Sequence, residues 1–555
     1  AQIYNYGLWN AQSDNTFQGG YSGGSTLFDN FGTFLKSGNT GTTTLDSGVV
    51  FNNTGTVNVQ TGTLDIGGGT SSGGDFTTTS GAFLNFIDTV YDFTNTNTFA
   101  GIGSFVASGA TFGGTIVGTL SWDGGSVSGV LTVATNSVLD IVTGGGNNID
   151  GLVLTNYGTI NWTNSTIYSQ GPGNAQIYNY GLWNAQSDKT FYGGNGGGST
   201  LFDNFGTFVK SGNTGATVLD GNVVFNNTGT VQASSGTMSF GGAFVQNTGQ
   251  TVLNGGNFTF SQVAQLLGGT LTGTGVITGS VSNNAAIGTG ASPGLLAISG
   301  NYTEGANAHL AIKLGGTSAG ATYDQLFVGG NASLAGSLDL SYWNGFTPSG
   351  TNVFTVLACG ALTGAFSALT SPGNGLDALY GATDVLVVLH HPPPTVQLTV
   401  PAQALAGHTF AVAGFGTCLE GTVTNFALLL GTNVLLSAPG SSASVNYSSD
   451  FPGNLTFTAV AMVNTGTQGQ TNATVTITTL PLRTLDGIGF QANLGFKLLM
   501  LGAAGTDYQV QASTNLAVTN WTILGTMENT NGIWRYFDTT ATNSPERFYR
   551  AEQLP

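Results

Sequence analysis

The chain runs to 555 residues, only 6% of them charged, with nine basic against 26 acidic side chains and a net charge of −17. Cations so few exclude a nucleic-acid or anionic-membrane surface, both of which need clustered Lys and Arg. Hydrophobic residues at 40% and aromatics at 10% supply enough apolar surface to exclude disorder, while 89 glycines and a polar remainder of Thr, Ser and Asn favour turns and β-edges over helices.

The opening stretch, "AQIYNYGLWNAQSD" from Ala1, recurs letter for letter at Ala175, 174 positions on. Inside it lies a shorter pattern, apolar–x–Asn–x–Gly–x–apolar. It reads Ile3-Asn5-Gly7-Trp9, Phe28-Asn30-Gly32-Phe34 and Phe51-Asn53-Gly55-Val57. It resumes as Leu154-Asn156-Gly158-Ile160, Ile177-Asn179-Gly181-Trp183, Phe202-Asn204-Gly206-Phe208 and Phe225-Asn227-Gly229-Val231, with a weaker copy at Val245-Asn247-Gly249. The asparagines stand 25 and 23 residues apart in the first group, then 23, 25, 23 and 20 in the second. A period of two places the apolar residues, Asn and Gly on one strand face. A period of 20–25 is one circuit of a β-solenoid in which each coil stacks on the last. Separate hairpins with Asn–x–Gly turns are the alternative, but they do not require so constant a spacing.

Stacking predicts two columns. Asn5, Asn30 and Asn53, and again Asn156, Asn179, Asn204 and Asn227, form amide ladders. Trp9, Phe34 and Val57, and again Ile160, Trp183, Phe208 and Val231, form the inner apolar column. Glycine beside the Asn suits a corner needing positive φ or close backbone approach. The duplicated block is then seven or eight coils long. Between Asn53 and Asn156 the motif fades, yet "GTLSWDGGSVSGVLTVATNSVLDI" keeps alternation and glycine corners and reads as more coil. The solenoid is predicted over 1–287.

From Gly288 the text changes. Ser292-Pro293-Gly294, Gly300-Asn301-Tyr302, Leu314-Gly315-Gly316, Tyr323-Asp324-Gln325-Leu326 and the alternating Ala332-Leu334-Gly336-Leu338 stand in a pattern that resembles the segment closing the passengers of autotransporter-associated and related bacterial surface β-solenoids. The resemblance implies a right-handed parallel β-helix, export, a place outside or on the outer surface of a bacterial cell, and no catalytic residue. The chain departs from that family in lacking the array of alternating strands that builds a membrane barrel. The closing segment is predicted over 288–389. "HHPPPT" from His390 marks a proline linker, 390–394. Short alternating strands over 395–480 suit an immunoglobulin-like sandwich. The last part, 484–555, resembles a small C-terminal β-sandwich module of secreted bacterial proteins, with Tyr508, Trp521, Phe548 and Tyr549 as expected core. All four arginines (Arg483, Arg535, Arg547 and Arg550) fall at this end. "FKLLMLGAAG" from Phe496 is the nearest approach to a membrane span, but it is short and holds Lys497. Cys359 and Cys418 fall in different predicted domains and read as two small buried thiols rather than a bridge.

Chemistry finds little to work with. A β-helix lyase needs a basic residue to take a proton beside a uronate, and the predicted solenoid holds no Arg and four lysines, Lys36, Lys189, Lys210 and Lys313, of which Lys36 and Lys210 occupy equivalent repeat positions. A hydrolase needs paired acids, but Asp14, Asp29, Asp46, Asp65, Asp188, Asp203 and Asp220 recur singly, as turn residues do. The first histidine is His309. No cofactor is expected. Ca²⁺ is the one ion suggested, by the Gly/Asp turns "GGGNNIDG" from Gly144 and "GGDF" from Gly73, which lack the nine-residue recurrence of a calcium-binding roll.

The expectation is therefore a non-enzymatic extracellular structural protein: a surface stalk or adhesin, or the subunit of a head-to-tail filament. The chain starts without Met inside a repeat, so it is either processed or truncated. Ala1 enters a strand-bearing coil with no cap, and such an end invites self-association with the next copy, unless further coils precede it. The competing expectation is a polysaccharide- or cell-surface-binding module using Tyr4, Tyr6, Tyr178 and Tyr180.

Overall fold

The computed structural model describes residues 1–20, 23–108, 112–142, 146–170, 174–291, 293–349, 352–372, 375–389, 392–419, 421–464, 466–479, 484–502, 505–517, 519–530, 532–543 and 546–555. The expectations placed on Gly144, Ser292, His390 and Arg483 lie outside these residues. The protein is all-β, with no α-helix among the described residues. It divides into two compact units, Ala1–Leu389 and His390–Pro555.

The first unit is a parallel β-solenoid. Its strands alternate buried and half-buried residues, as in Thr26–Asn30 and Thr33–Lys36, so each contributes one row to the interior and one to the outside. Each coil pairs in parallel with the next: Asn5 lies beside Asn30 and Asn30 beside Asn53. The walk continues from Thr56 to Asp75 to Thr98, from Asn97 to Ile116, then to Val133, Asn156 and Asn179. The duplicated peptide thus returns after eight steps, a whole number of coils. Through the middle of the block, longer strands such as Phe83–Thr94 and Asn147–Asn156 run around the corners with local register shifts, which is where the sequence motif fades.

One expectation is corrected by the corners. The Asn–x–Gly motif does not lie on a single strand. Asn204 ends Thr200–Asn204, the bend follows, and Phe208 belongs to Thr207–Lys210, which lies in a different sheet. The period of two survives because the inside of the coil continues around the bend. Close approach, rather than positive φ, demands the glycine. A Cβ at Gly206 would overlap the carbonyl oxygen of Gly181 in the coil before, and Gly181 stands in the same relation to Gly158.

The 288–389 segment adds further coils before it closes. Ser337–Tyr342 and Ala368–Thr370 still pair in parallel with their predecessors. Asp384–Leu389 then runs antiparallel beside Val353–Ala358 and carries Leu376–Tyr380 on its other edge. That reversal ends the coil-on-coil register. A single apolar core from Phe28 to Val387 fills the unit.

The second unit pairs a three-stranded and a five-stranded sheet over 395–478, around Val412, Phe426, Phe457 and Val475. Two smaller antiparallel sheets follow over 485–553. Tyr508 is buried there as expected, but the central indole is Trp534, fully buried with its ring edge-on to Tyr508 at 5.4 Å. Trp521 is only half-buried and lies under the Arg550 guanidinium, 4.6 Å from its ring centre. Phe548 is half-buried too, and Tyr549 stacks on Phe496. Leu499 and Ile533 of this last module pack into the core of the preceding sandwich, and Lys497 bonds Asp450 at 2.5 Å, so the two modules make one body. Cys359 and Cys418 are half-buried and belong to different units.

Because backbone sits on backbone at each corner, Gly206→Ala is expected to destabilise the solenoid by about 1–3 kcal/mol, the usual range for overpacking. Equilibrium urea unfolding with hydrogen exchange at Thr200–Asn204 and Thr207–Lys210 measures it, and unchanged protection would refute the steric account.

Candidate functional site

The inward asparagines form continuous ladders. Asn5 Nδ2 donates to Asn30 Oδ1 at 2.6 Å, and Asn30 Nδ2 to Asn53 Oδ1 at 2.8 Å. In the second copy Asn156 donates to Asn179 at 2.8 Å, Asn179 to Asn204 at 2.7 Å and Asn204 to Asn227 at 2.9 Å. Each Nδ2 also reaches a carbonyl just past the next corner, Thr33 for Asn5 and Thr230 for Asn204. The carboxamide therefore joins three segments of backbone at once. The first ladder stops at Asn53, where Ser71 lies in register above and no Asn follows.

The second ladder extends one rung further than the motif indicates, and on a different residue. Asn227 donates to Gln246 Oε1 at 3.1 Å, and Gln246 Nε2 passes the bond to the carbonyls of Gly268 and Thr270. The copy assigned to Val245-Asn247-Gly249 is thus displaced by one: Phe244 and Gln246 face inward and Val245 outward. A one-residue slip exchanges the two faces of a strand, and Gln was not recognised as a ladder residue.

The apolar column stands in register, Trp9 beside Phe34 and Phe34 beside Val57, then Ile160, Trp183, Phe208 and Val231 in succession. Its two copies differ in one respect. Trp183 is 2% exposed and Trp9 39%. Trp183 is covered by Ile160, Ile177 by Leu154 and Phe191 by Ile167. Trp9, Phe17, Phe28, Phe34 and Leu45 line an open cleft of about 290 Å³, with Tyr6 and Leu8 exposed beside it.

The few charges serve the coil walls. Lys36 is fully buried, with its Nζ 2.9 Å from Asp14 and 3.0 Å from the Asn39 carbonyl. Lys210 repeats this with Asp188 at 2.8 Å and the Gly212 carbonyl at 3.0 Å. Neither ammonium is open to a substrate. Asp46 accepts the amides of Gly19 and Gly48, and Asp220 those of Gly193 and Asn222. Asp29, Asp65 and Asp203 accept from Asn52, Asn85 and Asn226. Lys189 carries no such pair among the described contacts. No group of three or more His, Cys, Asp or Glu side chains that could hold a metal lies among the described residues.

The closing segment hides two polar nodes. Asp324 is fully buried and accepts from the amides of Gly294 and Lys313, from Thr289 Oγ1 and from Lys313 Nζ at 2.7 Å. It pins the loop after Gly288 to the strand His309–Leu314. In the other, Tyr302 donates to Glu304 at 2.8 Å and accepts from Asn283 at 3.0 Å. Burial pushes the Glu304 carboxyl up to about 7. Burial first, then the neighbouring Glu304 charge, holds the Tyr302 phenol well above its usual range. His309, Ser337 and Asp339 also meet, but Ser337 Oγ and Asp339 Oδ2 both contact the same ring nitrogen, Nδ1, at 2.7 and 2.8 Å. That is not the arrangement of a catalytic triad, in which one ring nitrogen takes the serine proton while the aspartate holds the N–H of the other.

The outward tyrosines differ in what they present: Tyr4 and Tyr6 are exposed, whereas Tyr180 is stacked on both sides. Tyr6 stacks on Phe31 at 4.9 Å, and Tyr180 lies between Tyr157 at 5.2 Å and Phe205 at 4.7 Å. Tyr4 and Tyr178 bond back to Gln2 and Gln176. A sugar ring stacks on an aromatic face, and Tyr180 has both faces covered.

These fittings define a parallel β-solenoid with attached β-sandwich modules. No family model matches the chain, and no curated protein matches it. Among solved structures it is similar to a PKD domain of an M14-like peptidase from Thermoplasmatales archaeon SCGC AB-540-F20, at 16% identity over 16% of this chain and 98% of that one, with a TM-score of 0.14. It is also similar to fibronectin(III)-like modules of Clostridium thermocellum CbhA, at 14% identity over 26% of this chain and 77% of that one, again with a TM-score of 0.14.

Replacing Asn204 by Ala strands the Asn179 donor and the Asn227 acceptor, and it is expected to cost about 2–3 kcal/mol in urea unfolding. A change below about 0.5 kcal/mol would show the ladder to be incidental. Glu304 gives a second test. Its folded carboxyl keeps a proton that the unfolded chain, titrating near the ordinary 4.5, has released. Its contribution is therefore most favourable below about pH 4.5 and is lost as pH rises to about 7, by roughly 3 kcal/mol at 1.36 kcal/mol per unit. Glu304→Gln should flatten that part of the stability profile; an unaltered slope would place its origin elsewhere.

Proposed function

We propose that this protein is a non-enzymatic structural component outside the bacterial cell, a β-solenoid subunit that lengthens head to tail. One observation carries the reading: each coil pairs in parallel with the next, with the inward asparagines joined in ladders and the buried lysines paired within the wall. Stacking of coil on coil is a heterologous contact, and when the rotation does not close, such a contact between copies propagates as a filament. The resemblance of 288–357 to segments of secreted bacterial solenoids supports the extracellular placement. The low charge supports it further, because coil-to-coil hydrogen bonds and apolar stacking hold at any salt concentration.

Negative-stain electron microscopy over a range of concentrations tests the filament. Fibres with a regular axial repeat are expected, and isolated particles at every concentration would overturn it.

A further inference from the structure

Among the described residues two ring contacts join tyrosine to tyrosine, and both bridge successive coils. Tyr157 and Tyr180 stack with centroids 5.2 Å apart and planes 16° from parallel. Tyr168 and Tyr192 stack at 5.3 Å and 9°. The solenoid holds each pair in place. Asn156 is in register with Asn179, and Tyr168 with Tyr192, so the rings cannot drift along the strands. Tyr157 and Tyr180 are 50% and 48% exposed, Tyr192 39%, and Tyr168 is half-buried. The other tyrosine ring contacts pair with Phe or Trp, as Tyr6 does with Phe31 and the buried Tyr323 with Phe354.

We propose that Tyr157–Tyr180 and Tyr168–Tyr192 are sites of oxidative coupling to dityrosine, which ties one solenoid coil covalently to the next. The oxidant is hydrogen peroxide acting through a peroxidase. Each of the two phenols gives up one electron to the enzyme and its phenolic proton to water, leaving a pair of phenoxyl radicals. A carbon–carbon bond forms between the ring positions ortho to the oxygens, and the hydrogens at those carbons pass to the oxygens as the rings regain aromaticity. The net loss is two electrons and two protons, which convert one peroxide to two waters. Two radicals generated on separate molecules must find each other by diffusion; here the partner ring is already in place, and proximity of this kind favours the intramolecular product.

Tyr157 and Tyr180 are 23 positions apart, Tyr168 and Tyr192 24. Each bridge closes one circuit of the coil, which restricts the unfolded chain as a disulfide does. The coils so joined include the one that covers the second copy of the repeated peptide.

The test treats the full chain with horseradish peroxidase and hydrogen peroxide, isolates monomer by size exclusion, and reads dityrosine by its blue fluorescence and by the loss of two hydrogens per bridge in the mass of the joined peptides. Parent monomer is expected to carry both bridges and to melt at a higher temperature than before treatment. Tyr157→Phe and Tyr168→Phe should each remove one joined peptide, and the double variant should leave the monomer without dityrosine. Tyr6→Phe should change nothing, since its neighbour is phenylalanine. Dityrosine persisting in the monomer of the double variant, appearing only in covalent dimers, or absent from the parent under conditions that couple free tyrosine would overturn the proposal.

Discussion

Successive coils of this solenoid lie one strand spacing apart, about 4.8 Å, and where the chain turns that spacing leaves no room for a side chain between one backbone and the next. The remaining structure follows from this constraint. Glycine occupies the turn because any Cβ there would enter the carbonyl of the coil before. With the turn fixed, the residue two places ahead of it always points inward at the same height, and Asn at that place meets Asn from the neighbouring coil. The residue two places after it lands on its own counterpart, which stacks ring on ring or ring on branched side chain down the axis. A repeat with such register needs only local agreement between adjacent coils, and stability accumulates coil by coil.

The same geometry explains where the charges went. A lysine facing into a coil must find anion and carbonyl partners within the wall, and Lys36 and Lys210 do so in the same way in both copies. Asp324 satisfies four donors and closes the loop ahead of it. Glu304 stands apart, since a neutral carboxyl fits its pocket better than a charged one. Lys36, Lys210 and Asp324, which carry charge into the interior, are thus taken up by structure.

Much of this was legible in the letters. Constant spacing of Asn, Gly and large apolar residues specifies a solenoid because no hairpin series demands equal circuits. What escaped notice did so for physical reasons. Gln246 continues a ladder of asparagines because its carboxamide offers the same donor and acceptor, one methylene further out, and the nearby Asn247 drew attention to the wrong face. Trp534 lies on a strand whose neighbours give no hint of depth, while Trp521 sits in a more conspicuous motif but is only half-covered. The Ser337, His309 and Asp339 contact spans coils of irregular length, which spacing does not forecast.

By itself the sequence determined the coil: its length, its glycine corners, the inward rows and a duplication of seven or eight coils, all of which rest on periodicities that a strand converts directly into direction. It could not determine what lies above or below a given side chain, because identical residues acquire their burial from the neighbouring coil. Trp183 is sealed because Ile160 stacks on it, and Tyr180 becomes one layer of a stack only because Tyr157 and Phe205 arrive at its height from 23 and 25 residues away. Those outcomes belong to the tertiary structure, since coverage is a property of the stack and not of the strand.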